Sequence, residues 1–156
     1  MNKKILIFGA GDIAQLAHFY FSSDSDYEVI AFAVDKEYYA ERTFCGLPVV
    51  LFEDIEKIYP PDEYSFFIAM SYAKQNEARK DKYLSVKKLG YDCVSYISSN
   101  ATVLNSGAIG ENCFILENNV IQPFVRIGNN VTLWSGNHIG HHTVVEDHVF
   151  IASHVV

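Results

Sequence analysis

The feature that most constrains the fold is an aliphatic residue that recurs at every sixth position through the C-terminal part of the chain. A strict period of six is typical of a parallel β-helix, in which each hexapeptide supplies one short strand and one turn. A β-sandwich would instead show period two and irregular turn spacing. The unbroken series of ten residues is Ile97, Val103, Ile109, Ile115, Ile121, Ile127, Leu133, Ile139, Val145 and Ile151.

The period also predicts which residues stack. Three hexapeptides close one triangular coil, so each residue is expected to lie beneath the residue 18 positions later. The aliphatic residue points inward, and so does the residue four positions after it. Asn119 and Asn137 then form an inward stacked pair, which we interpret as structural because paired amides can satisfy each other. His148 falls in a turn column above Asn130 and Asn112, which we interpret as solvated surface.

The chain up to about residue 95 follows a different pattern. Lys4–Phe8 and Val29–Val34 are apolar runs typical of buried strands, and the segment between them has apolar residues at helical spacing. A further strand is predicted at Ser65–Met70, and a lysine-rich helix is predicted at Asn76–Leu89. Strand, glycine turn, helix and strand make the βαβ unit of a parallel sheet.

Bulk properties argue against several functional classes. The net charge of −7 over 156 residues, without a basic stripe, is unsuited to nucleic-acid binding. No apolar run approaches the roughly 20 residues of a membrane span. Cys45, Cys93 and Cys113 are widely spaced and form no CxxC motif, which indicates reduced thiols in the cytoplasm.

A glycine motif follows the first predicted strand. The letters GAGDIA, starting at Gly9, read as G-x-G-x-x-A, in which glycines permit a tight turn and a helix N-terminus offers N–H groups to a phosphate. Asp35 follows the second strand, where a dinucleotide-binding fold holds an acidic residue, so a dinucleotide stays an alternative ligand. Against it, this half is short for a full doubly wound fold.

A Rossmann-like unit with Gly9-Ala-Gly11, joined to a hexapeptide β-helix with Ile139-Gly-His-His, resembles the sialic acid O-acetyltransferase family. That family includes bacterial N-acetyltransferases of nucleotide-linked 4-amino sugars. The resemblance implies an α/β Rossmann-like, sugar-nucleotide-binding domain over 1–95, followed by a left-handed parallel β-helix over 96–156. It further implies acetyl transfer from acetyl-CoA to an amino or hydroxyl group of a sugar for surface glycans, by a homotrimer formed through the β-helix.

The resemblance also implies a catalytic set. His141 occupies the Ile-x-His position of the family's general base, and imidazole changes charge near neutral pH, as a base for amine or hydroxyl attack requires. Many family members place an acidic residue next, where this chain has His142. Glu146 is therefore expected to orient the base, with Asp147 and Glu117 as further candidates. His141, His142 and Glu146 form the predicted catalytic set.

Matching positions in the family predict the contacts of the sugar nucleotide. Asp12 would repel phosphate, so it is also a candidate for capping the first helix with its side chain. Lys74 and Arg79 could supply positive charge, although we interpret most basic residues of the lysine-rich helix as a solvated face. The predicted substrate-binding residues are Gly9, Gly11, Asp12, Asp35, Lys36, Ser71 and Tyr72.

Two alternatives remain at this point. Some hexapeptide β-helices are zinc-dependent carbonic anhydrases, and His138, His141 and His142 would be the ligands here. However, neighbouring strand residues point to opposite faces, so His141 and His142 are expected to diverge, and we expect no metal. Val156 falls in the middle of a coil, whereas further coils carry much of the acetyl-CoA groove in the family. We therefore expect an incomplete β-helix, truncated at the C-terminus, and a non-catalytic sugar-nucleotide-binding or assembly remnant is the second reading.

Overall fold

The computed structural model describes residues 3–73, 75–104 and 108–156. These residues form two compact units. The first comprises Met1–Ser71 and Asp81–Cys93, and the second comprises Tyr72–Lys80 and Val94–Val156. The short segment Tyr72–Lys80 thus belongs with the β-helical part of the chain, which the sequence pattern did not indicate.

The first unit is built on a five-stranded sheet in the order β3-β4-β2-β1-β5. All neighbours are parallel except β3 and β4. The helix α1 lies between β1 and β2 in sequence, so the predicted βαβ unit is present. The bounds are β1 (Lys3–Phe8), α1 (Asp12–Ser23), β2 (Tyr27–Val34), β3 (Thr43–Phe44), β4 (Leu47–Leu51), α2 (Ile55–Ile58), β5 (Ser65–Ile68) and α3 (Glu77–Lys88).

The strands of the sheet are apolar because both of their faces are covered. Leu6, Phe8, Phe66 and Ile68 are buried in one cluster with Tyr91. The hydroxyl of Tyr91 donates to the carbonyl of Tyr59 at 2.5 Å, and burial, with a smaller effect of Glu56, raises the pKa of Tyr91 to about 12.

A hairpin that the sequence pattern missed joins β3 to β4. Cys45 and Gly46 form its two-residue turn, with φ of 49° and 79°. Two successive positive φ values are typical of the turn that suits the twist of a tight hairpin. The strands are too short, and Pro48 interrupts them too early, for alternation of apolar and polar residues to be visible.

The second unit contains nine strands of two residues each in its described part. They form three parallel sheets in the orders β6-β8-β11-β14, β7-β9-β12 and β10-β13, one for each face of a coil. The strands are β6 (Tyr96–Ile97), β7 (Thr102–Val103), β8 (Phe114–Ile115), β9 (Val120–Ile121), β10 (Arg126–Ile127), β11 (Thr132–Leu133), β12 (His138–Ile139), β13 (Val144–Val145) and β14 (Phe150–Ile151).

The register of these sheets confirms the predicted stacking. Ile97 pairs with Ile115, Ile115 with Leu133, and Leu133 with Ile151, each 18 residues apart. The central aliphatic residues are buried in one cluster. Ile97 is 38% exposed, because β6 pairs on one side only and no described coil covers the other side.

Asn119 and Asn137 form an inward stacked pair with a structural role, as predicted, but their amides bond to backbone groups and not to each other. Both are almost completely buried. The side-chain oxygen of Asn119 accepts the backbone N–H of Asn137 at 3.3 Å, and that of Asn137 accepts the N–H of Val155 at 2.8 Å. Their amide groups donate to backbone carbonyls, including that of Trp134. Each amide thus satisfies buried polar groups of the next coil.

Candidate active site

One residue in each of eight successive hexapeptides adopts a left-handed backbone, three positions after the inward aliphatic residue. Glycine, asparagine and histidine tolerate this conformation better than most residues do. The requirement explains three of the histidines that crowd the end of the chain. The positions and φ values are Asn112 (53°), Asn118 (60°), Phe124 (68°), Asn130 (58°), Gly136 (80°), His142 (63°), His148 (66°) and His154 (59°).

His141 and His142 hold their imidazole rings in direct contact on the surface of the coil. The two Nδ1 atoms lie 3.0 Å apart, and the ring planes are inclined at 89°. The expectation that these side chains diverge is wrong, because the left-handed φ of His142 breaks the alternation of a strand. Both residues are exposed, so the pair is open to a ligand.

The previous coil supports this pair through two residues that the sequence analysis missed. The side-chain oxygen of Gln122 accepts the backbone N–H of His141 at 2.9 Å. The ring of Phe124 lies against that of His142, with centroids 4.8 Å apart and an inclination of 36°. The period of 18 could have predicted the contact between these two rings, because Phe124 precedes His142 by one coil.

The acidic candidates for orienting His141 lie elsewhere. Asp147 accepts the backbone N–H of Asn129 at 2.7 Å, and Glu117 accepts the hydroxyl of Ser135 at 2.6 Å. Glu146 is exposed. Across the described part of the chain, no carboxylate bonds to the ring of His141, whose partner is His142.

The column of Asn112, Asn130 and His148 is stacked as predicted, but it is not solvated. Both asparagines are completely buried and His148 is half-buried. Asn112 donates to the side-chain oxygen of Asn130 at 2.7 Å, and the amide nitrogen of Asn130 lies 2.9 Å from Nδ1 of His148. Because an amide N–H needs an acceptor, this contact requires an unprotonated Nδ1. Burial lowers the pKa of His148, as do Lys80 and Arg79, while Asp147 and Glu77 oppose them.

Arg79, considered as a source of positive charge for the substrate, is 2% exposed and bonds to the same column, so it is not part of the solvated face expected for most basic residues of this helix. Its guanidinium donates to the carbonyls of Asn130 at 2.6 Å and Asn112 at 2.9 Å. Asn76 also donates to the carbonyl of His148 at 2.6 Å. Asn76 and Arg79, at the start of α3, therefore bind three left-handed turns that stack on one another in successive coils, because the carbonyls of these turns lie on one side of the β-helix.

A cavity of about 340 Å³ in the first unit lies beyond the ends of β1 and β2. Gly9, Gly11 and Asp35, all predicted to bind substrate, line it together with Tyr38 and Met70. Gly9 has φ of 116°, and a Cβ there would lie 2.7 Å from the carbonyl oxygen of Ala69. No atom lies within 4 Å of a Cβ built on Gly11, so that position borders open space.

Asp35 forms an ion pair that the sequence did not predict. Its carboxylate lies 2.7 Å from Nζ of Lys82, whose side chain is only 14% exposed. The Lys82 ammonium also lies over the rings of Phe8 at 4.4 Å and Phe52 at 4.2 Å. Lys82 is therefore not on a solvated face, and it places a positive charge beside a residue of the cavity wall.

The remaining predicted substrate contacts are dispersed. Asp12 is exposed and does not cap α1, because Gly11 holds the N-cap position, which has no side-chain hydrogen bond. Lys36 and Ser71 are exposed and are not part of the cavity lining. Tyr72 lies in the second unit, with its ring 4.7 Å from that of Phe150. Lys74 lies outside the described residues.

Among the residues that the structure describes, no group of three or more histidine, cysteine, aspartate or glutamate side chains is arranged to hold a metal ion. No helix in residues 3–73, 75–104 and 108–156 has the length and apolar character to cross a bilayer. Cys113 is completely buried in the core of the coil. Burial is the main cause that raises the pKa of its thiol.

Comparison with known proteins assigns the repeats. The sequence profile described as bacterial transferase hexapeptide, six repeats, matches residues 107–141 and 125–156. This part of the chain is therefore similar to the hexapeptide repeats of bacterial transferases. Hexapeptide-family repeats form a left-handed β-helix, in agreement with the predicted handedness. No curated protein matches the chain by sequence.

Solved structures share the fold over almost the whole chain. The acetyltransferase domain of PglB from Neisseria gonorrhoeae, in complex with acetyl coenzyme A, matches 98% of this chain and 72% of its own at 19% identity, with a TM-score of 0.81. A histidine variant of perosamine N-acetyltransferase from Caulobacter crescentus, bound to CoA and GDP-perosamine, matches 96% and 71% at 18% identity and 0.77. WeeI from Acinetobacter baumannii matches 94% and 68% at 21% identity and 0.74. The predicted resemblance to nucleotide-sugar N-acetyltransferases is thus confirmed for the fold.

Proposed function

We propose that the protein transfers an acetyl group from acetyl-CoA to an amino group of a nucleotide-linked sugar, or to a hydroxyl group, for surface glycan synthesis. The observation that carries this proposal is the exposed imidazole of His141, hydrogen-bonded through Nδ1 and held on a hexapeptide-family coil. The fold shared with proteins solved with acetyl-CoA and with GDP-perosamine supports the choice of substrates.

The proposed chemistry needs one proton acceptor at the sugar. Nε2 of His141 takes a proton from the amino group as its nitrogen attacks the thioester carbonyl carbon, and a C–N bond forms. When the tetrahedral intermediate collapses, the C–S bond breaks, and the imidazolium returns the proton to the departing thiolate. The products are an N-acetyl sugar and free CoA, and the imidazole is regenerated.

The first unit is proposed to hold the sugar nucleotide. The turn between β1 and α1 and the cavity lined by Gly9, Gly11 and Asp35 support this role and a Rossmann-like mode of binding, because a helix N-terminus beside open space suits a phosphate. In this proposal residues 1–95 bind the nucleotide and residues 96–156 carry the acyl transfer. Asp12, Lys36, Ser71 and Tyr72 remain proposed contacts of the substrate.

We also propose a homotrimer in the cytoplasm. The exposed apolar side chains of Leu104 and Val144 on the second unit support contacts between subunits. The free thiols of Cys45, Cys93 and Cys113 suit a reducing compartment. Light scattering on the purified protein tests the subunit number.

A pair of glycine variants tests the nucleotide site. We expect Gly9→Ala to lower the free energy of unfolding by about 2 kcal/mol or more, because φ is positive and the new Cβ meets the carbonyl of Ala69. Gly11→Ala meets no atom, so it should fold normally but weaken binding of GDP- or UDP-linked amino sugars, measured by titration calorimetry. Unchanged affinity in Gly11→Ala would contradict phosphate binding at this turn.

A further inference from the structure

Resting on the proposed role of His141 as the base, we propose that His142 is the positioning residue that sets the tautomer of that base. In this arrangement Nδ1–H of His141 donates to the unprotonated Nδ1 of a neutral His142. Nε2 of His141 then carries the lone pair that receives the proton of the attacking amine. An imidazole thus performs the orienting task for which a carboxylate was expected.

The contact itself restricts the protons to two arrangements. Two nitrogens 3.0 Å apart share one proton, so one ring donates and the other accepts. If His142 donated, neutral His141 would carry its proton on Nε2 and would have no free lone pair towards solvent. Only the arrangement in which His141 donates leaves that ring competent as a base.

The surroundings hold the acceptor in place. The left-handed φ of His142 turns its ring back towards His141, and the ring of Phe124 lies against its face. Gln122 fixes the backbone N–H of His141 at the same corner. Since every partner of the two rings in the described residues is uncharged, the pair places no negative charge beside a phosphate-bearing substrate.

Two substitutions of His142 distinguish loss of the hydrogen-bond acceptor from a change in the backbone conformation. In His142→Asn, Oδ1 stands one bond from Cγ, as Nδ1 does, and asparagine already occupies the equivalent turn position at 112, 118 and 130. In His142→Gly the positive φ is equally tolerated, but no acceptor remains. His138→Ala, an exposed histidine on β12, is the control for loss of an imidazole.

The first readout is the ¹⁵N chemical shift of the ring nitrogens of His141, recorded on the full chain at a pH where imidazole is neutral. We expect the Nδ1–H tautomer in the wild type, in His142→Asn and in His138→Ala, and mainly the Nε2–H tautomer in His142→Gly. The second readout is turnover. We expect kcat to fall about 10- to 100-fold in His142→Gly with KM little changed, and to stay within about fivefold of wild type in His142→Asn.

An Nε2–H tautomer of His141 in the wild type overturns the proposal, and so does an unchanged tautomer or an unchanged kcat in a folded His142→Gly. If the glycine variant does not fold, as judged by urea denaturation, the wild-type tautomer still decides. Failure of the proposed function is distinguishable from failure of this proposal. Full turnover in His141→Ala would show that His141 is not the base, whereas the tautomer of His141 is read from its chemical shifts without any turnover.

Discussion

The left-handed turn position is the residue-scale constraint that shapes the candidate site. It selects asparagine, glycine or histidine in almost every hexapeptide from Asn112 onward, and at His142 it turns an imidazole towards its neighbour. Phe124 is the exception, because an aromatic residue is strained in this conformation and Phe124 is 70% exposed. We infer that Phe124 is kept for its contact with His142 and not for stability.

Replacing Phe124 tests that inference. We expect Phe124→Asn to raise the free energy of unfolding by about 1 kcal/mol, because asparagine relieves the strain and little buried area is lost. The same change should lower kcat by about three- to tenfold, because the ring of His142 loses its support. Urea denaturation and steady-state kinetics measure the two effects.

Asn118→Gly is the matched control, since it changes a turn position of the same kind whose side chain is exposed. It should leave kcat unchanged. A Phe124→Asn variant with wild-type kcat would contradict a role for the aromatic ring, and light scattering shows whether the assembly is preserved.

At this scale the sequence singled out His141, whose role as the base stays a prediction, but not the residues around it. His141 follows from the Ile-x-His position, whereas its contact with His142 depends on a backbone φ that alternation rules do not contain. Gln122 and Phe124 are recognised as neighbours of the histidine pair only when His141 and His142 are compared with the residues one coil earlier. Glu146, chosen for its charge and proximity in sequence, is exposed and makes no bond to the ring of His141.

At the scale of elements, the start of α3 and the turns of the β-helix are joined by buried polar contacts. Arg79 donates to the carbonyls of Asn112 and Asn130, and a buried carbonyl that loses its donor costs free energy. The sequence pattern could not show this, because a basic residue on a lysine-rich helix is normally solvated. Burial of Arg79 depends on tertiary contacts, which the composition of the helix does not reveal.

We expect Arg79→Ala to lower the free energy of unfolding by about 2 to 4 kcal/mol, since two charge-assisted bonds to buried carbonyls are lost. Arg126→Ala, which removes an exposed arginine on β10, should change stability by no more than about 0.5 kcal/mol. Urea denaturation compares the two variants. Equal stability of both would show that the buried guanidinium does not hold the turns.

The stability of the same column should depend on pH through His148. Because burial lowers its pKa in the folded state, the unfolded chain binds the proton more readily, and protonation also breaks the bond from Asn130. The contribution of His148 is therefore fully present above its usual pKa of 6.5 and is lost as the pH falls through the lower folded value. The charged groups that act on this histidine are Asp147, Lys80, Arg79 and Glu77.

His148→Asn provides the comparison, because it extends the column with the residue already present at Asn112 and Asn130. We expect the variant to lose less stability than the wild type between about pH 7.5 and about pH 5.5, measured by urea denaturation at each pH. An identical pH dependence in both proteins would contradict a neutral, hydrogen-bonded His148.

At the scale of the whole molecule, the period of six was sufficient to predict three stacked faces, because register in a β-helix repeats with each coil. The βαβ unit also followed from strand and helix periodicity. The membership of Tyr72–Lys80 in the second unit did not, because it depends on side chains such as Arg79 that bond to residues far away in sequence.

The predicted substrate-binding residues are divided between the two units. Gly9, Gly11 and Asp35 share one cavity, as expected from their places after β1 and β2. Tyr72 packs on Phe150 in the second unit, although it was predicted together with them from its place after a strand. Following a strand of the sheet is therefore not sufficient to place a residue at the cavity, because Tyr72 comes after β5, which neighbours β1.

The most direct measurement is release of free CoA thiol from acetyl-CoA in the presence of nucleotide-linked 4-amino sugars, for the wild type and for His141→Ala. The account predicts turnover that requires the amino sugar and that falls by about 10²- to 10⁴-fold in the variant, with an unchanged urea midpoint. Wild-type turnover in His141→Ala, or thiol release that does not depend on the sugar, would contradict it.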